Sequence, residues 1–158
     1  MKSLWTMFIK SVQLPRKQAA FTLNRIGMDT TVIYMFIILF ISSIPTYLNQ
    51  LQENERLSTF FFSIFFFIFH YLPVVIIVFV ALSILAWLTV LITKVAKRKL
   101  RFSILWKMAA SATTIPLLIF TIVSFFYHLD KLYLAISIIF ILLIVTRVIF
   151  LYPRRRHM

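Results

Sequence analysis

The sequence predicts an all-α fold: a polytopic membrane helical bundle of four transmembrane helices, with an N-terminal interfacial amphipathic helix and a short apolar helix that is re-entrant or lies at the outer interface. Three observations predict it. Of 158 residues 62% are hydrophobic, 18 are Phe and only one is Gly, with a mean hydropathy of +0.98; a soluble domain is nearer half apolar and about a quarter charged. Apolar runs at residues 30–48, 103–127 and 132–152 each approach the ~20 residues that a helix needs to cross a bilayer. These runs are continuous rather than alternating, which argues against a barrel.

The chain divides into a cytoplasmic amphipathic segment (1–28), a membrane domain (29–152) and a basic cytoplasmic tail (153–158). In "MKSLWTMFIKSV", Leu4, Trp5, Phe8, Ile9 and Val12 recur at helical spacing, with Lys2, Ser3, Thr6, Lys10 and Ser11 opposite. This describes a helix in the plane of the cytoplasmic leaflet, with Trp5 at headgroup level and Lys2 and Lys10 beside anionic phospholipid. Packing on another protein surface is the competing reading. After Pro15 a second short amphipathic segment runs to "RIGMD", where Gly27 can end it in a left-handed conformation and Asp29 can cap the first span. Basic residues persist to Arg25 and no cleavage site follows the first apolar run, so that run is expected to remain as an uncleaved anchor.

Charge sets the expected topology, because short loops rich in Lys and Arg stay in the cytoplasm. Lys2, Lys10, Arg16, Lys17 and Arg25 precede the first span. The next loop, "NQLQENER", is acidic on balance; the one after it, "KVAKRKLRFSILWK", is strongly basic; "HLDKL" is neutral; and the tail ends in Arg154, Arg155 and Arg156. Both termini are therefore expected in the cytoplasm. Lys97, Arg98, Lys99, Arg101 and the three tail arginines join Lys2, Trp5 and Lys10 as expected headgroup contacts.

That alternation holds only if the long apolar run from Arg56 to Lys94 crosses once. As one straight helix it would exceed 50 Å, well past a hydrocarbon core of about 30 Å. Pro73 removes a backbone donor and disfavours helix at Leu72, which places a break near "HYLP". The expected arrangement is a re-entrant or interfacial helix at 58–70 and a span at 73–93; a tilted, kinked single helix projecting outward is the competitor. Left in water, "FFFSIFFFIF" would be a large apolar patch, so lipid, other helices or a partner should cover it.

Within the spans, "AASATT" sets small residues Ala109, Ala110, Thr113 and Thr114 where a neighbouring backbone can approach, with the threonines able to satisfy carbonyls freed by Pro116. Pro45 and Pro116 are expected helix breaks or bends alongside Pro73, with Ser42 and Ser43 compensating at Pro45. Lys107 and Arg147 lie a turn or two inside helix ends, where long side chains snorkel. The sharper alternative is an ion pair between Asp29 and one of them.

"LWTMFIKSV" with Pro15 two residues on, "RIG" before the first span, "FISSIPTYL" at its outer end, and "KRKLRFSILWKMAASATTIPLLIF" together resemble a bacterial membrane family named for maltodextrin utilisation, a domain of unknown function, and the broader Yip superfamily. The resemblance implies a polytopic bacterial membrane protein without established activity, in a short form lacking the extracytoplasmic insertion that family members carry after the first span. Yip relatives act as trafficking adaptors.

The residues carry little recognisable chemistry. There is no Cys, no Gly-rich phosphate loop, no His pair at ligand spacing and no Ser-His-acid set, so no catalytic residue, cofactor or metal is expected. His70, His128 and Asp130 share the expected outer face, where contact with water or headgroups outweighs a metal or pH-sensing cluster. No carboxylate lies mid-membrane for a proton relay. The net charge of +13 is spread over membrane-facing segments, so lipid phosphate is the nearer anion and nucleic acid is not an expected partner. The expectation is a non-enzymatic adaptor or accessory subunit bound to a membrane protein or to itself. The alternative is a small oligomeric transporter or channel with a path near Pro73.

Overall fold

The computed structural model describes residues 2–53, 58–96, 98, 100–124 and 131–152. Every described element is helical: α1 (Lys2–Val12), α2 (Lys17–Arg25), α3 (Met28–Glu53), α4 (Thr59–Phe66), a π-helical turn (Phe67–Tyr71), α5 (Leu72–Val95), α6 (Phe102–Ala112), α7 (Thr114–Ser124) and α8 (Lys131–Leu151). Four segments are long and apolar enough to cross a membrane: Met28–Gln52, Thr59–Val95, Phe102–Ser124 and Tyr133–Leu151. The chain is a multi-pass membrane protein. With no water in the hydrocarbon to pair with the backbone, helices satisfy every interior peptide group within the segment.

The hub is α6. From Leu105 to Thr114 every side chain is buried, and the helix touches α1, α2, α3, α5, α7 and α8. Ala109, Ala110 and Ala112 are fully enclosed, and their small side chains let neighbouring backbones come close where van der Waals contact is the main attraction. The outward faces of α3, α5 and α8 carry exposed Ile, Leu, Val and Phe, as lipid-facing surfaces do.

The chain stays helical through Pro73 and Pro45, whereas an interruption is found near Pro116. Leu72 has helical angles, φ −61 and ψ −47, so the 58–70 helix and the 73–93 span join into one continuous 37-residue segment. The π-helical turn explains this. Leu72 N–H donates to Phe67 O, five residues back, and the widened turn gives the Pro73 ring room that an α-turn denies it. Pro45 lies inside an unbroken α3, where Ser43 Oγ donates to Leu39 O at 2.8 Å and Thr121 Oγ1 of α7 donates to Ser42 Oγ at 3.0 Å. The carbonyl that Pro45 leaves without its usual donor is that of Ile41, four residues back, and neither of these bonds reaches it. The interruption near Pro116 falls at Thr113, where ψ opens to −19. Pro116 therefore lands in the first turn of α7, where no intrahelical donor is needed.

Two expectations at the amino-terminal end are also corrected. Gly27 has no positive φ; α2 ends instead through extended Ile26, whose N–H returns to Leu23 O. Asp29 sits in the first turn of α3 rather than ahead of it, where a carboxylate complements the helix dipole. On α1 the buried residues are Met7 and Ser11, while Trp5 and Val12 are exposed. The spacing located the helix; docking onto α6 and its neighbours chose the side, and small Ser11 permits the approach.

Candidate functional site

Basic residues gather at one end of the bundle, where α3 and α6 begin and α5 and α8 finish. Lys10 and Lys17 flank, with Arg25 and Phe21, a shallow concavity of about 510 Å³ on α1 and α2. Lys10 Nζ donates to Gln13 Oε1 at 3.0 Å. The Arg98 guanidinium donates to the Tyr152 carbonyl just past the end of α8 and lies over the Phe150 ring, 5.9 Å from its centroid, a favourable place for a cation near a helix C-terminus. Arg101 is exposed at the start of α6. Among the other expected headgroup contacts, Lys97, Lys99, Arg154, Arg155 and Arg156 fall outside the described residues, as does the side chain of Lys2; so do His128 and Asp130.

Lys107 is engaged differently from either expectation. Its side chain is only 8% exposed, and Nζ donates to the carbonyls of Asn24 at 2.7 Å and Ile26 at 2.8 Å. These carbonyls close the C-terminal end of α2, where orphan acceptors and the negative end of the helix dipole meet. The lysine thus fastens the amphipathic α1–α2 unit to the hub helix. Asp29 and Arg147 are exposed on α3 and α8, and among the described residues no ion pair joins them to Lys107 or to each other. The expected charge pair is replaced by a cation on the main-chain oxygens that end α2.

Toward the opposite end the helices part around a cavity of about 370 Å³ between α3, α5, α7 and α8. α8 is buried along Ile141, Ile144, Val145, Val148 and Ile149, whereas its first turns, with Leu134, Ile136 and Ile139, are exposed. The cavity lies beside this less enclosed end of α8, which Tyr133 ties to α7 through the Pro116 carbonyl. Its walls are mainly aliphatic, with Leu82, Leu85 and Ile141 at the inner end and Thr46 and His70 near the outer end. Most lining hydroxyls are spent on the protein: Ser43 on Leu39 O, Thr113 on Ala109 O at 2.8 Å, and Tyr133 on Pro116 O. Thr46 and His70 make no hydrogen bond to a described residue, and the His70 ring stacks on Phe66 at 4.6 Å. Sequence reasoning missed this cavity. Its signal was present in hydroxyls at helical spacing on otherwise apolar spans: Ser42, Ser43 and Thr46 on α3, and Tyr133 with Ser137 on α8.

Residues 46–152 match the family described as "Protein of unknown function (DUF1189)". The chain belongs to this DUF1189 family. The match takes in the end of α3 and everything from α4 to α8, and so all of the cavity lining except Leu39, Ser42 and Ser43. The amphipathic α1–α2 unit lies ahead of it. No curated protein and no solved structure matches the chain.

Proposed function

We propose that this DUF1189 protein is a non-enzymatic adaptor or accessory subunit of a membrane complex in the bacterial cytoplasmic membrane, with both termini in the cytoplasm and its basic end against anionic phospholipid. Kinship with the maltodextrin-utilisation-type proteins and the Yip superfamily belongs to the same proposal. The observation that carries the reading is the unpartnered phenylalanine face of α4 and the π-helical turn. Phe60 and Phe61 are 68% and 69% exposed and Phe69 is 67% exposed, while contact with the bundle runs through Tyr47, which packs on Phe62 and Phe66 and shares a 2.9 Å hydrogen bond with Ser63.

The continuous helix sharpens the argument. Thirty-seven residues rise about 55 Å, and even at the ~40° upper end of common tilts they occupy about 42 Å of depth against a core of about 30 Å. The phenylalanine end therefore stands at or beyond the headgroups, where exposed aromatic surface favours a protein cover. The test places a photocrosslinking residue at Phe61, or at Ile84 on the lipid-facing side, in a tagged copy in native membranes. The reading expects one reproducible protein adduct from position 61, absent from position 84 and lost with Phe60→Ser. Lipid adducts alone from both positions would remove it.

A second reading, a small oligomeric transporter or channel with a path near Pro73, is favoured by the π-helical turn, which sets His70 on the cavity wall. Irregular turns of this type recur at functional sites.

A further inference from the structure

The cavity between α3, α5, α7 and α8 has the dimensions and chemistry of a binding site. Its lining runs about 22 Å along α5 from His70 to Leu85, and it encloses about 370 Å³, an elongated space that suits a flexible apolar chain. A helix, about 10 Å across, does not fit. The mouth opens sideways, because Ile77 of α5 and Leu134 of α8 line the cavity and are both largely exposed on the lipid-facing surface. The mainly aliphatic walls offer little to a polar solute, and a pocket of this size and lining suits an apolar ligand oriented by a few polar groups. Among those groups are Thr46 and His70 at the outer end, which make no hydrogen bond to a described residue.

We propose that the cavity holds one acyl chain of a membrane phospholipid, which enters between α5 and α8 with its ester region at Thr46 and His70 and its methyl end toward Leu85. This site is independent of the phenylalanine face, so either proposal can fail alone. Each CH₂ moved out of bulk lipid gains little, so retention rests on the fit of the chain and the two polar contacts.

The experiment uses the full chain in vesicles of phosphatidylglycerol carrying a mid-chain diazirine, followed by illumination, digestion and mass spectrometry. Leu85 lines the inner end of the cavity and is only 7% exposed, so a chain in the surrounding bilayer does not reach it; outward Ile76 and Leu143 report that bulk contact. The expected result is labelling of Leu85, reduced at least fivefold by Ala81→Trp at the mouth and by the milder Leu117→Phe on the wall, with Ile76 labelling unchanged. Labels confined to outward residues, or inner labels indifferent to both substitutions, overturn the proposal.

Discussion

Lys107 Nζ lies 2.7 Å from the carbonyl oxygen of Asn24, eighty-three positions earlier in the chain. Together with the bond to Ile26, this contact makes the end of α2 a docking point for a buried cation. Lys107→Met is expected to cost about 3 kcal/mol, the scale of charge-assisted bonds lost with acceptors left unpaired. The same substitution should expose Ala20, which is fully buried on α2. Ala20→Cys in this naturally Cys-free chain reads this directly: thiol labelling should rise at least tenfold in the Lys107→Met background. Unchanged labelling would mean that α2 is held by apolar packing alone.

At the centre of α6, Ala110 has no free surface. Ala110→Leu forces neighbouring backbones apart and should destabilise by about 1–3 kcal/mol, seen as a lower detergent melting temperature. Leu143→Ala, on the outward face of α8, should stay within about 0.5 kcal/mol of the parent. Equal effects would contradict the hub arrangement.

Continuity through Pro73 has a distance attached to it. Spin labels at Phe65→Cys and Ile84→Cys, both exposed, should lie about 28 Å apart along one helix. A re-entrant fold brings them much closer, and a distance under about 20 Å would restore the break.

Tyr34 OH and Thr114 Oγ1 meet at 2.9 Å between α3 and the start of α7. A double-mutant cycle with Tyr34→Phe and Thr114→Val should return a coupling of about 0.6 kcal/mol, the average measured for hydrogen bonds between membrane helices, and no more than about 1.7 kcal/mol. Strict additivity would show the pair to be incidental.

Much of this architecture was legible because its determinants are written as runs. Continuous apolar stretches mark the helices long enough to cross a membrane, and the 3.6-residue spacing in "SLWTMFIKSV" marks α1. What stayed hidden depends on neighbours. The partners of Lys107 are main-chain oxygens, which have no signature in the side-chain sequence. Pro73 carries a strong local rule, but a five-residue π-helical turn defeats it without any compositional mark. The side of α1 that is buried was set by α6, so Met7 outranked Trp5 despite its smaller apolar surface. The cavity lies between four helices, a relation that no single stretch encodes, although the hydroxyls on its wall set that face apart from the aliphatic outward faces.

The enclosure of α6 also bears on how the protein is made. Among the four spanning segments, Phe102–Ser124 is the least apolar and holds a lysine inside one end, so on its own it partitions into the bilayer least readily. The carbonyls that receive Lys107 and the surfaces that cover Ser111 and Thr114 belong to segments synthesised both before and after it. Its entry into lipid is therefore a cooperative act of assembly: α2 and α3 must already be waiting at the membrane when α6 leaves the ribosome, and α8 closes over it last.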